Sequence, residues 1–326
     1  MEGRNSEIRG VLLHLGRNLW GEESAADHLR CDDAAWRETT DLMATRGLNL
    51  LLVDIAEGVV YPSHPELAVK GSWSAGRLRD EVVRLRGMGI EAIPKLNFST
   101  THDIWLKDYQ RMVSTPEYYG VCQDLIRDVC EIFGHPRFIH LGFDEENFEL
   151  QKRYRHCVVR QGELWWHDLL MLVGMSERLG MRPWIWSDYA WFHRDEFMKR
   201  MPRSVLQSNW YYGREFDFKK LAEDPVHVKY HHDVYVRTFV DLEKAGFDQV
   251  PCGSNHYSEE SVGRLADFCR ANIAPERLKG FLVASWRELA PETSGKDSYV
   301  RNIRAVELAA KKFTTPLTAV GSQTCR

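Results

Sequence analysis

Short apolar runs alternate with longer amphipathic stretches along most of the chain, the order expected of a parallel sheet with crossover helices. The first apolar run covers 10–15; Asp32 or Asp33 then caps a helix that runs to about Arg46 and stops at Gly47. A second strand is read at 48–54, and Leu78, Val82 and Leu85 share one face of a helix expected over 74–87. After a third strand at 90–96, Thr115 caps a helix with Pro116 at its first position and Gly134 at its end. The fourth strand is 137–142. A helix over 162–179 ends at Gly180 and leads to strands at 182–187 and 205–208. The Val/His/Tyr alternation over 225–236 fits a strand or a loop, and a helix follows over 237–245. A seventh strand at 249–253, a helix over 258–271, an eighth strand at 280–285 and a helix over 296–312 complete the pattern. Eight strand–helix units with no linker between them predict one closed (β/α)8 barrel over residues 1–315, with 316–326 as a flexible tail.

Composition narrows the class. A chain of 326 residues exceeds the usual single domain, but α/β barrels run longer as one unit, and 44% hydrophobic residues can fill such a core. A net charge of -4 argues against a nucleic-acid surface. Seven scattered cysteines with no C-x-x-C pair indicate neither a disulfide framework nor a zinc knuckle. The polar residues 1–9 do not read as a signal peptide, and no apolar run approaches membrane-spanning length. The expectation is a reduced, cytoplasmic protein with no membrane partner. His227, His231, His232 and Asp233 cluster in sequence, but no zinc spacing fits them, and no metal or cofactor is expected.

Barrels carry their chemistry at the C-terminal ends of the strands. Those ends hold Arg17-Asn18, Asp54 and Glu57, Asn97 and His102, and Asp144-Glu145-Glu146 in the first half. In the second half they hold Trp186-Ser-Asp188, Asn209-Trp210, Asn255-His-Tyr257 and Trp286-Arg-Glu288. Acids and amides bind hydroxyls while indoles stack on sugar rings, so this mixture suits a polyhydroxylated ligand. With 11 Trp in the chain, not all serve a pocket: Trp165, Trp166 and Trp184 read as core.

The segment Phe138-Ile-His-Leu-Gly-Phe-Asp-Glu145 resembles the His-x-Gly-Gly-Asp-Glu signature of glycoside hydrolase family 20, the β-N-acetylhexosaminidases. Further likenesses recur in order. Arg9-Gly-Val-Leu-Leu-His14 is similar to the family's first strand, Gly89-Ile-Glu-Ala-Ile-Pro94 to its third, and Trp186-Ser-Asp188 to its fifth-strand motif. Trp210 falls where the family has a Trp after the sixth strand, and Trp286-Arg-Glu288 matches its closing Trp-x-Glu. The resemblance implies a hydrolase with Glu145 as general acid and Asp144 binding the substrate's 2-acetamido N–H. It implies sugar contacts from Arg9, His140, Trp186, Trp210, Tyr257, Trp286 and Glu288. In that family the acetamido oxygen itself attacks C1, a recognised exception to the two-carboxylate scheme. Asp144 and Glu146 are expected to push the Glu145 carboxyl upward by like-charge repulsion.

The sequence also departs from the family. Gly142-Phe143 replaces Gly-Gly, and Pro94-Lys-Leu-Asn97 replaces Pro-Glu-Ile-Asp. The His-x-x-Asp cluster after the second strand and the Tyr-x-Asp pair after the seventh are missing, with Tyr257 followed by Ser258 and Glu259. Two alternatives therefore stand beside the first reading. One is a glycosidase of other specificity with Asp188 or Glu288 as second carboxylate; the other is a carbohydrate-binding barrel without catalysis.

Overall fold

The computed structural model describes residues 7–16, 26–151, 158–290 and 296–313. Eight parallel strands form its sheet: β1 Ile8–His14, β2 Leu50–Asp54, β3 Glu91–Lys95, β4 Phe138–His140, β5 Arg182–Trp186, β6 Leu206–Ser208, β7 Cys252–Ser254 and β8 Gly280–Ala284. Their order around the sheet runs β6-β5-β4-β3-β2-β1-β8-β7, and the parallel bridges Gln207↔Gln249 and Trp210↔Cys252 join its two edges. The sheet is thereby closed into the expected (β/α)8 barrel. The main outer helices are α1 Asp33–Thr45, α2 Ala75–Gly87, α3 Pro116–Ile132, α4 Glu163–Arg178, α5 Arg194–Arg200, α6 His232–Lys244, α7 Glu260–Asn272 and α8 Lys296–Phe313.

The strands read as unbroken apolar runs because both faces are covered. Alternate residues divide between two cores. Leu12, Leu50, Leu52, Ile93, Trp184, Leu206 and Leu282 fill the barrel interior, while Val11, Leu13, Leu51, Val53, Ile185 and Val283 pack on the helices. Asp32 and Thr115 cap α1 and α3 as expected, and Ser74 caps α2, each accepting from a backbone N–H of the first turn. Trp165, Trp166 and Trp184 are fully buried. No helix among the described residues is long and apolar enough to cross a membrane.

Two local readings change. Residues 225–236 are neither strand nor loop: Asp224 caps a short helix, Pro225–Lys229, and α6 begins at His232. The buried residues Val236, Phe239 and Leu242 repeat every three positions, a helical period that the Val/His/Tyr alternation obscures. The seventh strand is shifted to Cys252–Ser254, although Gln249 still bridges to Gln207.

One polar cluster ties the layers together. Arg160, fully buried, donates to Glu146 (Nε to Oε2, 3.1 Å), Asp168 (3.1 Å) and the Phe98 carbonyl (2.9 Å). Asp168 also accepts from Ser114 and Tyr119, both at 2.6 Å, and Glu146 accepts from the Thr100 N–H at 2.6 Å. The cluster joins the segments after β3 and β4 to α4. Removing one partner of a buried ion pair leaves the others uncompensated. Arg160→Met is therefore expected to lower unfolding free energy by about 3–5 kcal/mol, read from the urea midpoint at constant slope. A loss below about 1 kcal/mol would mean that Glu146 and Asp168 do not depend on it.

Candidate active site

The chain leaves β4 through a tight bend. Gly142, Phe143 and Glu145 all have positive φ, at 80°, 66° and 59°. Only glycine fits at 142, because a Cβ there would overlap Asn97 Oδ1. Phe143 turns into the helix layer, edge-on to Trp165 at 5.6 Å with the Arg160 guanidinium over its ring at 4.6 Å. Anchored on that side, the bend presents Asp144 and Glu145 to the barrel mouth. Left-handed non-glycine residues cost about 1–3 kcal/mol each and concentrate at functional sites.

Both carboxylates converge on one imidazole. His102 Nε2 lies 3.1 Å from Glu145 Oε2 and 3.4 Å from Asp144 Oδ2. Asp144 Oδ1 accepts from Asn97 Nδ2 at 3.0 Å, and its carbonyl accepts from Thr101 Oγ1 at 3.1 Å and from Ser99 Oγ. The Glu145 N–H donates to Asp188 Oδ2 at 2.7 Å. Burial opposes charge on His102, but the carboxylates of Asp144 and Glu145 outweigh it and push the imidazole up to about 9. Asp188 is buried, and burial together with Asp144 raises its carboxyl well above the usual range.

A histidine raised on folding adds stability that is complete below its unfolded value of about 6.5 and lost as pH climbs through its folded value. For His102 that loss runs from about pH 6.5 and is nearly complete by about pH 9. Thermal stability should fall across that window, and His102→Gln should flatten the fall. An unchanged alkaline profile in the variant would remove His102 as its source.

The carboxylates open into a cavity of about 600 Å³ lined by His14, His102, Asp144, Glu145, Trp186, Trp210, Tyr212, His256, Tyr257, Trp286 and Arg287. Trp186 meets Trp286 edge-on at 5.8 Å, and Trp210 stacks on Tyr212 at 5.1 Å. Such a volume, with aromatic walls and polar groups converging on it, suits one small ring-shaped ligand. A cavity of about 550 Å³ also lies between α1 and α2, but no barrel strand end reaches it and its Arg77 and Arg84 are paired with Asp33, Asp41 and Glu81. Beneath the main pocket, Asp54 Oδ2 lies 2.7 Å from Lys95 Nζ and 3.1 Å from His14 Nδ1. Burial would raise Asp54, yet Lys95 and His14 hold its carboxyl well below the usual carboxylate range.

Asp144, Glu145, Trp186, Trp210, Tyr257 and Trp286 thus come together, with Tyr257 on the rim at 78% exposed. Three of the sequence-derived sugar contacts do not join them. Arg9 is the second residue of β1, roughly 17 Å of strand from His14 at about 3.3 Å per residue. It sits at the opposite end of the barrel, with Nε donating to the Gly47 carbonyl at 2.9 Å. His140 is buried below the pocket, where its Nδ1 accepts from the Gly142 N–H at 3.1 Å and its ring lies 4.6 Å from Trp186. Glu288 is buried and does not line the cavity. Glu146 faces Arg160, so it is no part of the charge pair beside Glu145. Arg17 and Asn18 lie outside the described residues. His14, Tyr212 and Arg287 were not singled out from sequence; strand-end position was the available signal, since each ends or closely follows β1, β6 or β8. His227 and His232 contact each other at 2.7 Å, and the described residues contain no group of three or more side chains able to hold a metal.

Paired strand-end carboxylates over a tryptophan-lined pocket thus stand at the mouth of a closed (β/α)8 barrel. No protein-family model and no curated protein matches the chain. Solved structures do share its fold. A Flavobacterium johnsoniae chitobiase aligns at 18% identity with a TM-score of 0.64, over 94% of this chain and 48% of that one. A family 20 exo-β-N-acetylglucosaminidase from Vibrio harveyi, in complex with N-acetylglucosamine, gives 14% and 0.63, over 94% and 54%. Dispersin B gives 14% and 0.61, over 94% and 99%. The chain spans about half the length of the first two and nearly all of the third.

Proposed function

We propose that the protein is a family 20-type glycoside hydrolase that removes a terminal β-linked 2-acetamido sugar, with retention of configuration. The observation that carries this reading is the sharing of His102 by Asp144 and Glu145 at the mouth of the tryptophan-lined pocket. Glu145 gives its proton to the glycosidic oxygen as the C1–O bond breaks. The substrate's acetamido oxygen attacks C1, and the resulting oxazolinium is opened by a water that Glu145 deprotonates. Asp144 accepts from the acetamido N–H and balances the positive charge developing there. Trp186, Trp210 and Trp286 supply the apolar faces that hold the ring, with Tyr257 at its edge. In the two-carboxylate alternative Asp188 or Glu288 would face the sugar. Both are buried and neither lines the cavity, which favours the substrate-assisted scheme.

The test is a comparison of aryl β-N-acetylhexosaminides with aryl β-glucosides. Hydrolysis of the acetamido substrate far ahead of the glucoside is the expected result, because a held internal nucleophile gains a large entropic advantage. Equal turnover of both would favour the two-carboxylate scheme, and sugar binding with no turnover would indicate a non-catalytic barrel.

A further inference from the structure

Strand order sets β8 four places from β4, so the segment after β8 faces Asp144 and Glu145 across the barrel axis. Arg287 stands in that segment, half-buried, and lines the pocket. Its backbone is fixed: the N–H donates to Ser285 Oγ at 3.2 Å and the carbonyl accepts from Asn302 Nδ2 at 3.1 Å. Among the described residues no carboxylate or carbonyl engages its guanidinium. Other half-buried and buried arginines do have protein acceptors: Arg84, Arg160 and Arg182 pair with carboxylates, and Arg9, Arg270 and Arg301 donate to backbone carbonyls. His256 lines the same wall, and Arg301 donates to the His256 carbonyl at 3.1 Å. Burial, and then Arg287 and Arg301, lower the His256 imidazole below its ordinary value, as a positive neighbourhood does. The pocket is therefore polarised, with acids after β4 and the Arg287 guanidinium after β8.

An arginine fork in a substrate pocket with no protein acceptor matches a planar or tetrahedral oxyanion, which it binds through two parallel N–H donors. We propose that Arg287, with His256 beside it, forms an anion subsite, and that the preferred sugar carries a sulfate, phosphate or carboxylate on the side of the ring facing the end of β8. The inference rests on the reading of this pocket as a sugar site, but not on catalysis.

The experiment titrates the fluorescence of the pocket tryptophans with N-acetylglucosamine, its 6-sulfate, its 6-phosphate and the corresponding uronic acid. At least one acidic sugar should bind about 10–100-fold more tightly than the neutral one, the range of a charge-assisted hydrogen bond. The three arms identify which oxyanion is preferred. Arg287→Gln should bring the ratio of acidic to neutral affinity close to one, and Arg287→Lys should restore part of it. A neutral sugar that binds as tightly as all three acids, or a preference that survives Arg287→Gln, would overturn the subsite. Hydrolysis of the neutral aryl glycoside is scored separately. Anion preference without turnover would sink the hydrolase reading and keep the subsite, and turnover without anion preference would do the reverse.

Discussion

Glu145→Gln is expected to leave the fold and melting temperature near those of the parent and to lower hydrolysis of an alkyl β-N-acetylhexosaminide by about 10²–10⁴-fold, the usual worth of a general acid. Glutamine keeps the shape of the side chain and an oxygen for His102, which now lies 3.1 Å from Oε2. The backbone contact that holds the bend, from the 145 N–H to Asp188, does not depend on the side chain. What disappears is the transferable proton. Substrates with acidic leaving groups need little protonation, so a dinitrophenyl glycoside should lose far less than the alkyl one. The measurement is kcat/KM for both substrates. Near-parental turnover of the alkyl glycoside would remove Glu145 from the mechanism, and an equal loss on both would point to misfolding or lost binding.

Asp144→Asn should reduce kcat/KM for the acetamido substrate by about 10²–10³-fold, comparable to loss of a transition-state donor or counter-charge. Asp144 now accepts on both oxygens, from Asn97 at Oδ1 and from His102 at Oδ2. An amide offers one acceptor, so one of these contacts turns into two opposed donors. The neutral group also fails to balance positive charge on the oxazolinium nitrogen. A thiazoline mimic of that intermediate should bind the parent more tightly than the free sugar does, as stable analogues of high-energy species do. It should lose that advantage in the variant. If the parent shows no thiazoline inhibition and the variant keeps its rate, substrate assistance is wrong and a second carboxylate must be sought.

Much of this architecture is legible in the amino-acid sequence. The eight strands, the caps at Asp32 and Thr115, and the glycine stops depend on residues within a turn or two of one another. So does the placement of Asp144, Glu145, Trp186, Trp210 and Trp286 just beyond strand ends, which brought them to one cavity. Arg9 was misread because a motif match does not say which end of a strand a residue occupies; it begins β1, at the barrel's other end. Glu145 and Glu146 are neighbours with equal chemistry, yet one faces His102 and the other Arg160, since the positive φ at 145 turns the chain between them.

What the amino-acid order determined by itself is local: the period of apolar positions, the helix boundaries, and the residue types delivered to the strand ends. Which polar groups become partners was decided by barrel closure. His102 reaches Glu145 across 43 positions of sequence, Lys95 reaches Asp54 across 41, and Ser285 reaches Asn302 across 17. The Arg287 guanidinium finds no acceptor among the described residues although acids are plentiful along the chain. Periodicity carries no information on such pairings, because a salt bridge or an orphaned cation depends on distance and desolvation in three dimensions, and adjacent strands bring together residues that the chain keeps far apart.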